Sequence, residues 1–264
     1  MGKNLVMKKI KVSISGGLGR MGSLLVKRVK RENSIKLVSV TEQRKIKKGN
    51  LVYERNSIES LGNSDVIIDF TRPKCTMEIL KIAVKLKKKI IIGTTGFSVA
   101  QNKMIERAAK KTAILKSGNM SLGINIMKFL SKILSNKIIK KFQIEIHDEH
   151  HKHKVDYPSG TALMLGESIA EGRNANLRKI RGKIFLNKKG KVTRNKINFF
   201  IRRLGNARGI HSVIFRTPQE IIEIKHTAKT RDIFVDGAID AVKWISKKRS
   251  GLYNMYDLLK IRDQ

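Results

Sequence analysis

The chain has 264 residues, and its 57 Lys and Arg against 21 Asp and Glu leave a formal net charge of +36. Hydrophobic residues make up 41%, a globular share that excludes disorder throughout. No apolar run approaches the ~18 residues of a membrane span, and the one cysteine, Cys75, excludes an internal disulfide, a CxxC redox pair and a cysteine-based zinc site. A cytoplasmic, reducing home fits that usage. Met1 to Lys9 is basic with no apolar stretch behind it, so a secretory signal is not expected there. Val6 breaks the myristoylation pattern. The basic residues are dispersed, at Lys27 to Arg31, Lys87 to Lys89, Lys137 to Lys141, Lys188 to Lys191 and Lys247 to Arg249. With aromatics at 5% and no stacking motif among them, a solvated Lys-rich surface is expected rather than a specific nucleic-acid partner.

In chain order, Lys9 to Ile14 alternates and is β-branched, which predicts a strand. Ser15-Gly16-Gly17-Leu18-Gly19-Arg20-Met21-Gly22 follows, then a helix with Gly22, Leu25, Val26 and Val29 on one face. A second strand from Ile35 to Val40 ends in Thr41-Glu42. Strand, glycine loop, helix, strand and acid form the grammar of a dinucleotide-binding βαβ unit. Glycines let backbone approach a pyrophosphate, and the helix N-terminus offers free N–H groups. Glu42 is placed to accept from ribose hydroxyls, and Gln43, Arg44, Lys45, Lys47 and Lys48 could hold a 2′-phosphate. NADH and NADPH are both permitted.

The alternation continues with strands at Asp65 to Phe70, Lys89 to Ile92 and Ala113 to Leu115, separated by a helix to about Lys88 and one from about Val99 to Lys111. A parallel, doubly wound sheet is expected, with ligand beyond the carboxyl ends of its strands. Small polar loops at Thr71, Gly93-Thr94-Thr95 and Gly118-Asn119-Met120-Ser121 occupy such ends. After a helix from Gly123 to Leu134, strands dominate: Phe142 to His147, Lys196 to Arg202, His211 to Phe215 and Glu220 to His226, with one helix from Thr161 to Glu171 among them. This predicts a second, α+β domain with a mixed open sheet. A last helix, Ile233 to Ser246, precedes a short tail. The expected divisions are 1–122 for the dinucleotide, 123–232 for substrate and oligomerisation, and 233–264 for the closing helix.

Four of the six histidines, His147, His150, His151 and His153, lie within seven residues. Lys152 and Lys154 beside them would repel a cation, so a metal site is not expected. Histidine titrates near neutrality, and lysine can donate a proton or bind a carboxylate. Pro158-Ser159-Gly160-Thr161 precedes an apolar-periodic run, with Ser159 as the natural N-cap. The N–H groups of Gly160 and Thr161 would then cradle an anion. The combination suits proton transfer to a small carboxylic acid.

The segment DEHHKHKVDYPSGTA (Asp148 to Ala162) resembles the signature of the 4-hydroxy-tetrahydrodipicolinate reductase (dihydrodipicolinate reductase) family, E-x-H-H-x-x-K-x-D-x-P-S-G-T-A. The GRMG loop end, DFTRP at Asp69, GTTG at Gly93, GNMSLGIN at Gly118 and the Lys225 to Arg231 segment resemble that family in the same order. The likeness covers nearly the whole chain. It implies a Rossmann-type domain and nicotinamide-dependent reduction of a cyclic imine dicarboxylate on the diaminopimelate route to lysine. By position, His150 would be the proton donor/acceptor and Lys154 would donate a proton after hydride addition. His151, Gly160 and Thr161 would bind substrate. Gly16 to Met21, Glu42, Gly93 to Thr95 and Gly118 to Ser121 would bind the cofactor. The resemblance also implies a homotetramer and a last helix returning to the cofactor domain. Tyr157, Met120, Gln43 and Ile210 depart from residues common in the family.

Overall fold

A computed structural model of the chain describes residues 8–138 and 141–261. The leader and acylation readings rest on residues 1–7 and lie outside the described residues, as do Ile139 and Lys140 of one basic run. The chain divides into two compact units, Met1–Met120 with Phe234–Gln264, and Ser121–Ile233.

The first unit opens with β1 (Ile10–Ser15), α1 (Arg20–Lys30) and β2 (Ile35–Thr41). A small insertion follows: β3 (Ile46–Lys48), β4 (Leu51–Glu54) and α2 (Ile58–Gly62). The winding resumes with β5 (Val66–Asp69), α3 (Pro73–Lys85), β6 (Lys89–Ile92), α4 (Val99–Ala109) and β7 (Ala113–Lys116). The second unit contains α5 (Leu122–Lys137), β8 (Gln143–His150), α6 (Gly160–Gly172), α7 (Leu177–Ile180), β9 (Arg181–Leu186), β10 (Ile197–Arg203), β11 (Ile210–Arg216) and β12 (Ile221–Thr227). The chain closes with α8 (Asp232–Ile245), β13 (Gly251–Tyr253) and α9 (Met255–Leu259).

The first sheet has eight strands in the order β13-β7-β6-β5-β1-β2-β4-β3. Only the β3–β4 pair is antiparallel. The central strands read VIID and KIII and are buried almost throughout, as a parallel sheet covered on both faces requires. Ile67, Ile90 and Ile92 pack there on Leu80, Ala83 and Ile105. The chain leaves β1 to one side through β2 and later returns on the other side through β5. That reversal opens a crevice at the carboxyl ends of β1 and β5. The α/β expectation holds for this unit. The short tail is more structured than expected, because β13 adds a parallel strand beside β7.

The second sheet has five strands in the order β12-β11-β8-β10-β9 and is mixed. β10 runs parallel to both β8 and β9, while β11 is antiparallel to β8 and β12. Phe199, Phe215 and Ile146 pack against Leu165 and Ile169 of α6. Edge strand β12 alternates exposed and half-buried residues. β8 reaches His150, three residues past the expected end at His147. Pairing of His150 with Arg203 and of Glu149 with Ile210 carries the ladder beyond the apolar alternation.

Candidate active site

In the first unit, the glycine loop closes so tightly that side chains do not fit. A Cβ on Gly17 would stand 2.0 Å from Val40 Cγ1, and one on Gly22 would stand 2.0 Å from the Gly16 carbonyl oxygen. Gly16 itself has a φ of +76°, where L side chains are strained. Gly19 caps α1 with no side-chain acceptor, and the first turn carries no acid. The positive end of the helix dipole is thus left for a ligand's phosphates. Glu42 accepts the Leu18 N–H at 2.7 Å, so the acid at the tip of β2 also braces the loop.

A cavity of about 400 Å³ lies beside this loop, lined by Gly16, Arg20, Glu42, Asn56, Thr71 and Arg72 among others. Asp69, fully buried, ties the loop after β5, which lines the cavity, to the loop after β6. Its carboxylate accepts from the hydroxyls of Thr71, Thr76 and Thr94, and the Thr71 N–H donates to Thr94 Oγ1 at 2.9 Å. Burial pushes the Asp69 carboxyl up, against the opposing threonine hydrogen bonds. Gly93 has no room for a side chain, since a Cβ would stand 2.2 Å from the Phe70 ring. Gly118 and Asn119 follow β7, where Ser117 Oγ donates to the Asn119 carbonyl. Met120 is 1% exposed, a core side chain rather than a lining one. A glycine-shaped loop, an uncapped helix N-terminus and flanking cations fit a dinucleotide.

In the second unit, the His-rich segment leaves the end of β8 and returns through Ser159 to α6. Ser159 Oγ accepts the Ala162 N–H, the expected N-cap. Gly160 opens α6 on solvent, with nothing within 4 Å of where a Cβ would stand. Thr161 is the next residue of that first turn. Lys154 Nζ donates to both oxygens of Asp156, at 2.7 and 2.8 Å. The backbone ties the loop back: His151 N–H donates to Ala207 O, Lys152 N–H to Gly205 O, and Lys154 N–H to His151 O. His151 is held below its ordinary value by loss of hydration and by the charges of His150, His153, Arg231 and Lys154.

The centre of this arrangement is Asp148, which is fully buried. Its Oδ2 accepts the Ser159 N–H at 2.8 Å and Arg203 Nη2 at 2.9 Å. Its Oδ1 lies 2.9 Å from His150 Nδ1 and 3.3 Å from His211 Nε2. Both rings approach Oδ1 off the line of an N–H bond. Burial alone would raise the Asp148 carboxyl. His150, His211 and the Ser159 N–H outweigh it and hold the group well below the usual carboxylate range. Burial lowers His211, against the pull of Asp148. Asp148, His150 and His211 bring three ligand-type atoms within 4.8 Å of one another. The Arg203 guanidinium on the same carboxylate gives this cluster the charge balance of an ion-pair network rather than of a cation site.

The family model for the N-terminus of dihydrodipicolinate reductase matches residues 10–120, and the model for its C-terminus matches residues 123–259. The chain belongs to the dihydrodipicolinate reductase family. It is 47% identical over 258 residues to the 4-hydroxy-tetrahydrodipicolinate reductase of Pelagibacter ubique, covering 97% of this chain and 100% of that protein. It is 41% identical to the enzyme of that name from Buchnera aphidicola subsp. Cinara cedri, covering 96% of this chain and 97% of that one. Among solved structures, a dipicolinate-bound dihydrodipicolinate reductase from Paenisporosarcina sp. TG-14 superposes with a TM-score of 0.75. At 22% identity, over 93% of this chain and 97% of that chain, it is a likeness of fold.

In this dihydrodipicolinate reductase fold, Gly16 to Met21 and Glu42 gather around one loop, and Gly93 to Thr95 stand on the neighbouring strand ends. His150, His151, Lys154, Gly160 and Thr161 fall on the single stretch from β8 to α6. Sequence reasoning assigned nothing to Arg203, His211, Asn56 or Thr76; it placed Thr71 and Thr94 in the cofactor loops without the Asp69 carboxylate that joins them. A polar residue interrupting an apolar strand, such as His211 in IHSVIF, was the available signal.

Proposed function

We infer that the chain is a 4-hydroxy-tetrahydrodipicolinate reductase, an NAD(P)H-dependent oxidoreductase of diaminopimelate and lysine biosynthesis. Dihydronicotinamide, when bound, supplies a hydride to the substrate's conjugated imine, and the hydroxyl leaves as water. The observation that carries this reading is the β8–α6 stretch, where His150 and an anion-ready helix end meet one buried carboxylate and Lys154 stands on the loop between them.

In this reading the Gly16 to Met21 loop and the α1 N-terminus hold the cofactor's diphosphate. Glu42 meets the ribose, and Gly93 to Thr95 and the backbone of Gly118 to Ser121 line the nicotinamide end. The N–H groups of Gly160 and Thr161 and the side chain of His151 hold a substrate carboxylate. Lys154 donates the proton that completes reduction after hydride addition. His150 gives and takes a proton, with Asp148 opposite its Nδ1. Exchange of the Asp156 carboxylate for a substrate carboxylate would bring Lys154 onto the ring. Arg20 and Arg72 provide positive charge for either NADH or NADPH.

We assign residues 1–122 to the dinucleotide, 123–232 to substrate and assembly, and 233–264 to the closing helix. The assembly is a homotetramer, a reading supported by the edge strand β12, where Ile221 is 60% exposed. The cytoplasm is its place, supported by a single unpaired cysteine. The deciding assay follows loss of reduced-nicotinamide absorbance, with NADH and NADPH supplied separately. Substrate is generated in situ from pyruvate and aspartate semialdehyde by the upstream synthase. Substrate-dependent oxidation is expected. A folded chain that binds cofactor and oxidises none would point to another imino acid.

A further inference from the structure

Arg203 ends β10 directly beside His150 in the sheet register and is 7% exposed. Its backbone N–H donates to the Asn187 side chain at 2.8 Å, which fixes the strand end. Nη1 donates to the carbonyls of Asp148 and Arg202, each at 3.0 Å. Nη2 donates to the Asp148 carboxylate and to the Asp156 carbonyl, each at 2.9 Å. One planar cation therefore grips both ends of the segment that carries His150, His151 and Lys154. On one side it holds Asp148, whose other oxygen faces His150 Nδ1. On the other it holds Asp156, whose carboxylate holds Lys154.

We propose that Arg203 is the positioning residue of the proton-transfer site, setting His150 through Asp148 and Lys154 through Asp156. The inference rests on the reductase reading for the roles of those two side chains. The physical reason is geometric. Proton transfer needs donor and acceptor within about 3 Å, and a misplacement of ~1 Å costs roughly 100-fold in rate. A segment anchored only at β8 would leave Lys154 to the mobility of its loop. The guanidinium fork serves four acceptors at once, which the single ammonium of a lysine cannot do. A buried ion pair is a poor route to stability for its own sake, since apolar side chains of similar volume would serve as well. Its place beneath this loop gives it a different use.

The test compares Arg203→Lys with the parent chain, with substrate and cofactor kinetics measured separately. Arg203→Lys is expected to lower kcat by about 10- to 100-fold. KM for NADH should stay within about twofold, since the guanidinium touches nothing in the dinucleotide-binding loop. In a Lys154→Ala background the same change should cost several-fold less than in the parent, because the share of its effect that runs through Lys154 is already removed and only the share through His150 remains. A kcat within about threefold of the parent, or costs that multiply in full in the double variant, overturns the proposal. Should Arg203→Lys fold poorly, Asp148→Asn with Arg203→Met removes both buried charges together. A folded pair of that kind with parental kcat also overturns it. Failure of the reductase reading shows separately, as a parent chain inert toward the substrate. The positioning can then still be read without turnover, from the 15N signals of the His150 ring. One tautomer is expected in the parent and averaged signals in Arg203→Lys; identical ring signals in both overturn the proposal.

Discussion

In the proposed reading two side chains in the second unit divide the proton handling, and their surroundings differ. His150 is nearly buried over Asp148, whereas Lys154 stands in a loop with an exposed carboxylate as partner. Replacing either with Ala is expected to leave the fold intact and to lower turnover by at least ~100-fold, the scale of general acid–base loss. Steady-state kinetics with NADH binding as the folding control checks this, and parental turnover in both variants would refute the assignment. Stability should also follow pH through buried His211 and half-buried His226. His211 is lowered by burial, and His226 by burial and by the charge of His211. With folded values below the unfolded ~6.5, the unfolded chain takes up protons first as pH falls. The stabilisation is complete above about pH 7 and declines as pH drops through 6.5. Asp148 acts in the same direction lower down, since its depressed carboxyl stabilises the fold above ~4 and less below it. Thermal melts from neutral to mildly acidic pH should show a falling midpoint, with a shallower slope in His211→Gln. An unchanged slope in that variant would remove His211 from the explanation.

The α1 reading was nearly complete from periodicity: Gly22, Leu25, Val26 and Val29 form its buried face. The Ser159 cap was legible too, because a helix start needs only a local acceptor. The insertion from β3 to α2 was not read, although Gly49-Asn50 between β3 and β4 is a hairpin turn signal, because the exposed IKK strand before it has no apolar alternation. The glycine loop yields a sharp expectation. Gly17→Ala should press a methyl onto Val40 and the Tyr53 ring, at a cost of about 1–3 kcal/mol. Thermal melting and NADH titration should both show the loss, and Val40→Ala in the same chain should restore part of it. Failure of Val40→Ala to help would mean that the strain lies in the loop backbone instead.

The formal charge of +36 acts on the protein as one field. Anionic ligands should be drawn in at low ionic strength, and screening over ~8 Å at physiological salt should weaken that attraction. NADPH bears one more phosphate than NADH, so its KM should rise more steeply with added salt. Parallel salt titrations of the two cofactors test this, and equal slopes would show that the field does not reach the site. Light scattering of the purified protein should return the mass of four 29.9 kDa chains if the tetramer reading holds. Ile221→Lys on the β12 edge is expected to reduce it.

The contiguous chemistry lies open in the amino-acid order: the glycine loop, Glu42 at a strand tip, and His150, Lys154 and the Ser159 cap within one short stretch. Each depends on spacing along a single strand, turn or helix, which local geometry fixes. Arg203, His211 and the contact of Thr94 with Asp69 are of another kind. Arg203 meets Asp148 from 55 residues away because β10 pairs with β8 in one register. His211 stands opposite Asp148 because β11 pairs with β8 in another. Neither register can be read from alternation, since a strand's pattern says which face is buried but not which neighbour it pairs with. Burial then makes these contacts consequential, because a carboxylate away from water must be matched by partners that only folding brings to it.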